Sequence, residues 1–270
     1  MDARSDGVTP ASGHRPRTYK TEAIVLRSIA VQEADRLVTL LTPGMGKLRA
    51  TVRGARRITS RLGGHMDTFN RVSLTLAQGR TFDVVIGAES LESFGSLKDG
   101  LDRVAAGLYL AELADRLVPE GAPHPNTYGL LLATFRTLNE HGLNPVVPRY
   151  AELRLLDDAG FMPELHDCVV CGTAVTPDHH LYAPAMGGVA CESCVPTRGQ
   201  VFPLSVNALK VLRFFARSGF AEALRLRLEQ PLSDEVEVLM TASVHDVVER
   251  DVASSGFVDH LRRRGNRPLS

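Results

Sequence analysis

The sequence predicts a multidomain α+β protein, strands first and helices after, with a four-cysteine metal module inserted among the helices. Three observations carry this. Apolar residues recur at a period of two from Tyr19 to Phe94 and at a helical period from Lys98 onward. The two periods are segregated rather than interleaved, which indicates separate domains and not βαβ units. All four cysteines of the chain fall in two C-x₂-C pairs within the helical half. At 270 residues the chain has room for about two domains of ordinary size. An apolar fraction of 44% with 23% charged residues excludes wholesale disorder and a disulfide-dense mini-protein.

Residues 1–18 are expected to be a disordered lead-in. Asp2, Asp6, Gly7, Pro10 and Pro16 leave no apolar stretch of the kind a secretory signal needs. No window approaches a membrane span, so a cytoplasmic protein with no membrane contact is expected.

Candidate strands are Tyr19–Ile29, Asp35–Thr42, Lys47–Gly54, Phe69–Ala77 and Thr81–Leu91. Turn residues separate them: Pro43-Gly44-Met45-Gly46 after the second and Gln78-Gly79-Arg80 after the fourth. A longer connection, Ala55 to Thr68, follows the third. Five short strands with one long loop suit a Greek-key barrel of the OB type over 19–95. An SH3-like barrel or an open sheet would give nearly the same spacing.

The helical region is expected over 96–164 and again over 201–261. Leu101, Val104, Ala105, Leu108, Leu110, Ala111 and Leu117 form a first apolar stripe, ended by Pro119, Gly121 and Pro123. Tyr128, Leu131, Leu132, Phe135 and Leu138 form a second, ended by Gly142. Asn144-Pro145 starts a third helix, which runs to Asp158. Ser205 caps a fourth, and Ser233-Asp234-Glu235 starts a fifth that reaches about Arg250. Residues 262–270, with Arg262, Arg263, Arg264 and Arg267, read as a frayed basic tail.

Between the helical segments, residues 165–200 hold Cys168, Cys171, Cys191 and Cys194 in the order C-x₂-C-x₁₉-C-x₂-C. A C-x₂-C turn sets two thiolates on one side of a knuckle, and two knuckles complete a closed tetrahedron, so structural Zn²⁺ is the expected cofactor. A redox dithiol, for which the βαβ context is absent, and plain core cysteines are the alternatives. His166, His179 and His180 are expected to be solvent-exposed loop residues rather than further ligands.

The net charge of zero divides into +5 over residues 1–95 and −5 over 96–270. From Arg36 to Met66 there is no acid, while Lys47, Arg49, Arg53, Arg56, Arg57 and Arg61 are all basic. Alternation along the third strand puts Lys47, Arg49, Thr51 and Arg53 outward, and the long loop extends the row. Such a row on an OB-type barrel lies where oligonucleotides bind, and these six cations are the candidate nucleic-acid contacts. Charge that only keeps an exposed strand soluble is the competing reading. With Trp absent and aromatics sparse, binding would be electrostatic and weakly sequence-selective.

No catalytic constellation emerges, and no enzyme is expected. The phosphate-binding glycine loops, H-E-x-x-H and G-x-S-x-G are all missing. Asp157-Asp158 and Asp234-Glu235 sit at helix ends, where acids cap.

The run Glu22-Ala23-Ile24-Val25-Leu26, then Glu33-Ala34-Asp35-Arg36-Leu37, Leu40-Leu41-Thr42-Pro43, Gly46-Lys47-Leu48-Arg49-Ala50 and Arg53-Gly54-Ala55-Arg56-Arg57, resembles bacterial RecO proteins. Ser60-Arg61-Leu62-Gly63-Gly64, Phe69 and Tyr109-Leu110-Ala111-Glu112-Leu113 fit the same pattern. RecO proteins are recombination mediators and DNA-annealing proteins of the RecF repair pathway. The resemblance, over about residues 19–250, implies an OB barrel, a helical domain and a zinc finger. It further implies binding of single- and double-stranded DNA, annealing without ATP, and action in the cytoplasm at the nucleoid. The implied protein partners are RecR and the acidic tail of the single-stranded-DNA-binding protein. Arg116 and Arg136, beside apolar stripes, are candidate contacts for that tail. Two other classes share parts of the pattern. A DNA ligase fragment also joins an OB barrel to a four-cysteine zinc module, but its nucleotidyl-transfer lysine motif is missing here. An RNA-binding translation or ribosome-assembly factor would carry the same electrostatics.

Overall fold

The computed structural model describes residues 17–31, 33–57, 60–176, 178, 180–194 and 196–265, with side chains described as far as Glu249. Most of the expected lead-in and the last five positions of the expected basic tail lie outside the described residues.

Period-two segments become five strands: β1 (Thr18–Val31), β2 (Asp35–Thr42), β3 (Gly46–Val52), β4 (Arg71–Ala77) and β5 (Asp83–Glu92). They close into a barrel in the order β1-β2-β3-β5-β4, with β1 antiparallel to both β2 and β4. A parallel contact at Ala50–Asp83 and Thr51–Val84 completes it. Alternation drives closure, because Ala23, Val25, Val38, Leu40, Ala50 and Val52 all turn into one interior core. Phe69, expected to open the fourth strand, lies before it with φ 76°. Its ring packs edge-on to Phe135 at 5.2 Å and against Gly107, where a Cβ would sit 3.0 Å from the ring.

Helices follow as α1 (Gly95–Asp99), α2 (Leu101–Leu117), α3 (Pro125–His141) and α4 (Val146–Asp158), then α5 (Val206–Arg217), α6 (Phe220–Ala223) and α7 (Leu232–Gly265). The last helix runs past its expected end near Arg250. The expected stripe on α2 is corrected at Leu101 and Leu108, which are 88% and 47% exposed, and holds at Leu110 and Ala111, which are buried with Gly107, Leu113 and Ala114. Both faces of α2 carry leucines, so the apolar count did not single out the side that packs.

A small sheet, β7-β6-β8, spans the cysteine region: β6 (His180–Ala183), β7 (Gly188–Ala190) and β8 (Phe202–Leu204). These strands have three or four residues, too few for periodicity to reveal. Leu165, Cys168, Val175, Tyr182 and Val189 share one apolar cluster with the helices, and so do Ile24, Leu26 and Leu41 on the outer barrel face. Barrel, helices and cysteine region are thus joined by a continuous core. Ionic contacts cross the barrel–helix seam as well. Arg136 on α3 pairs with Glu92 on β5 at 2.7 Å, and within the barrel Arg71 holds Glu92 at 2.8 Å and Glu22 at 2.7 Å.

Candidate nucleic-acid interface and metal centre

The six expected cations divide into two groups. Ala50 and Val52 fill the barrel, so Lys47, Arg49 and Arg53 do turn outward, as alternation demands. Lys47 nevertheless does not reach solvent. It is 7% exposed, its Nζ lies 3.1 Å from Asp115 Oδ1 on α2, and Nζ also donates to the Asp115 carbonyl. The expectation that Lys47 belongs to a free cation row is therefore corrected: helices cover that end of β3. Arg49 is exposed, but its Nε lies 3.0 Å from Glu120 Oε1.

Arg53, Arg56, Arg57 and Arg61 are exposed, and among the described residues none has an acidic partner within ion-pair distance. The loop that bears them is anchored. Ala55 and Met66 plug the barrel core, the Arg56 amide donates to the Ala34 carbonyl at 3.0 Å, and the Gly54 amide donates to Asp35 Oδ1 at 2.8 Å. Arg36 closes the base by donating to the Gly63 carbonyl at 3.3 Å and pairing with Asp67 at 3.1 Å. The loop thus offers four positive side chains from a held backbone.

The strand register adds residues that sequence reasoning missed. Arg27 pairs with Thr39, and Thr39 with Arg49, forming one outward row. Ile29, Leu37, Thr51 and Val84 form the next row across four strands. Ile29 and the nearby Ile86 are exposed at 37% and 53%. This apolar belt has no aromatic ring on which bases could stack, so the flanking arginines, which can meet phosphates, are the part of this face suited to a nucleic-acid backbone. Arg27 was invisible in the sequence because a bulge between Val25 and Arg27 changes which residues of β1 face out.

The four cysteine Sγ atoms lie within 4.8 Å of one another, and Cys171 and Cys191 are 3.8 Å apart. Gly172, at φ +72°, turns the first knuckle, and its amide donates to the Cys168 carbonyl at 2.8 Å. Burial pushes the Cys168 thiol up, but amides of Cys171, Cys191 and Val170 outweigh it and bring it to about 6. The Cys191 and Cys171 sulfurs beside Cys194 instead push that thiol up to about 12. Four sulfurs this close cannot all ionise without a cation among them, and a bound metal ion supplies that charge. The donor set therefore fits a closed structural site. His180, expected in a solvent-exposed loop, is corrected: it is 7% exposed on β6, and its Nε2 donates to the Thr176 carbonyl at 2.6 Å. His179 lies outside the described residues.

The two cations expected to receive an acidic peptide are each paired with a glutamate. Arg136 is engaged by Glu92 through two hydrogen bonds of 2.8 and 2.7 Å. Arg116 is held by Glu112 through hydrogen bonds of 3.1 and 2.7 Å, and it borders an apolar groove of about 370 Å³ between α2 and α7, lined by Tyr109, Leu113, Val244 and Val248 with Glu112 and Glu249 at its edge. No helix among the described residues is long and apolar enough to cross a membrane.

Comparison with known proteins accounts for nearly the whole chain. Residues 17–94 match the family described as Recombination protein O N terminal, and residues 99–255 match Recombination protein O C terminal. A DNA repair protein RecO of Roseiflexus sp. (strain RS-1) is 38% identical over 92% of this chain and 88% of its own length. A DNA repair protein RecO of Desulforudis audaxviator is 39% identical over 92% of this chain and 98% of its own. One of Dehalococcoides mccartyi (strain CBDB1) is 32% identical over the same shares. The chain belongs to the RecO family.

Proposed function

We propose that the chain is a DNA repair and recombination mediator. It binds single- and double-stranded DNA on an OB-type barrel, anneals complementary strands without ATP, and helps load recombinase onto DNA coated with single-strand-binding protein. The observation that carries this reading is the set of four exposed arginines, Arg53, Arg56, Arg57 and Arg61, with no acidic partner among the described residues, on an anchored loop beside a partly exposed apolar belt. Strand order β1-β2-β3-β5-β4 with closure through β3 and β5 supports the OB assignment. Phosphate contacts bear no base information, so binding is indifferent to sequence, and screening of two approaching backbones lets complementary strands meet.

Zinc is the metal we assign to Cys168, Cys171, Cys191 and Cys194. A tetrahedron with bonds of about 2.3 Å has sulfur–sulfur edges of about 3.8 Å, and the Cys171–Cys191 separation of 3.8 Å agrees. The ion holds the two knuckles together and has no open position for substrate. RecR and single-strand-binding protein are the proposed partners. The groove between α2 and α7 with Arg116 at its rim is the place we assign to the acidic, apolar-ended tail. The protein acts in the cytoplasm, at the nucleoid.

The test replaces Arg53, Arg56, Arg57 and Arg61 together with glutamine. Single-strand binding is followed by anisotropy over a range of salt, and annealing on DNA coated with the cognate single-strand-binding protein. Each lost contact flattens the log–log salt slope by about 0.7, so the expected change is about 2.8 with a parallel loss of annealing. An unchanged slope would falsify the barrel as the DNA site. Structured RNA outcompeting single-stranded DNA on the intact protein would favour a translation or ribosome-assembly role instead.

A further inference from the structure

Acids are absent from Arg36 to Met66, so every carboxylate near the outer face of β3 comes from elsewhere in the chain. Two come from the end of α2 and the linker behind it: Asp115, which neutralises Lys47, and Glu120, which meets Arg49. The linker is pressed onto β3 by contacts that do not involve Arg49. The Gly121 amide donates to the Lys47 carbonyl at 3.1 Å. Gly46, at φ +67°, lies so close to Ala122 that a Cβ would stand 1.7 Å from its carbonyl oxygen. Glu120 is therefore held over the face by its neighbours' backbone.

Arg49 stands in the outward row with Thr39 and Arg27, on the face that the DNA-binding reading assigns to the ligand. A guanidinium accepts carboxylate and phosphate as alternative partners. An ion pair with side chains 44% and 56% exposed is weak and open to competition. We propose that Glu120 is a built-in phosphate mimic, which occupies Arg49 in the free protein and tempers the affinity of the barrel face for nucleic acid. The proposal rests on the reading of that face as the DNA site.

Glu120→Gln keeps the shape and removes the charge. It is expected to free Arg49 for one more phosphate, steepening the single-strand salt slope by about 0.7. Relative to 1 M salt, where the difference disappears, one such contact corresponds to about eightfold tighter binding at 50 mM. Glu222→Gln is the control, because Glu222 is exposed on α6, which packs on α4 through Phe220 and Tyr150. It should bind DNA as the unmodified protein does. The gain should vanish in Arg49→Gln/Glu120→Gln, which should match Arg49→Gln alone. If Glu120→Gln binds like the unmodified protein while Arg53→Gln still flattens the slope, the mimic is wrong and the DNA face stands. A gain that survives in the double variant also overturns the mimic, since Glu120 would then act by general repulsion. If no arginine variant changes the slope, the DNA face and the mimic fall together.

Discussion

Exchanging Lys47 and Asp115 decides whether this lysine serves the fold or a ligand. The pair is 3.1 Å apart, with side chains 8% and 21% exposed. Breaking a fully buried pair costs about 3–5 kcal/mol, because the remaining charge is left without compensation. Here Asp115 keeps some water, and its carbonyl still accepts from Lys47 in an alanine variant. Asp115→Ala is therefore expected to cost about 2–3 kcal/mol, near the lower end of that range. For a chain of this size that lowers Tm by about 4–10 °C. Replacing both charges, as Lys47→Met/Asp115→Leu, should restore most of the loss, since apolar isosteres of buried pairs are often neutral. Thermal unfolding followed by circular dichroism gives these shifts, and a single-strand salt titration of Lys47→Met gives the second readout. That slope should not move. A slope flattened by about 0.7 in Lys47→Met, or an Asp115→Ala variant as stable as the parent, would refute the enclosed pair and return Lys47 to the cation row.

Two further outcomes follow from the geometry. Cys171→Ser or Cys191→Ser should abolish zinc in elemental analysis of the purified protein and lower Tm, while leaving the single-strand salt slope in place; retained stoichiometric metal would contradict the four-sulfur site. Glu92 is held at about 2, chiefly by its hydrogen bond to Arg136, against the opposing effect of burial and with help from Arg71. A carboxylate depressed below its unfolded value of about 4.3 adds stability above that pH and loses it on acidification toward about 2. The stability gap between the parent and Glu92→Gln should therefore shrink as pH falls from about 6 to about 3; a gap constant over that range would count against the bridge.

Local chemistry decided much of this protein. Period-two alternation from Tyr19 onward produced the strands because each barrel strand buries one face, and the segregated periods separated strands from helices. The Ser205 hydroxyl accepts from the Ala208 amide at 3.1 Å, and Asn144 Oδ1 accepts from the Val146 amide at 2.9 Å, at the helix starts where these residue types cap. The C-x₂-C pairs announced a metal site because the knuckle is local, needing only Gly172 to turn it. The arginines of the long loop were legible for the same reason: among the described residues no acid from elsewhere in the chain pairs with their side chains.

What alternation could not decide is which outward residues remain outward once domains pack. Lys47 and Arg49 lie two residues apart on one strand face, yet Asp115 buries the first and Glu120 occupies the second, from 68 and 71 positions further along the chain. Leu101, Leu108 and Leu110 all read as core, yet Leu101 and Leu108 are exposed and Leu110 packs, beside Leu113. Arg136 looked free until the barrel brought Glu92 to it. In each case the local pattern assigned a face, and only tertiary contact determined what that face meets, because charge pairing and burial depend on distances between segments that the sequence order does not contain.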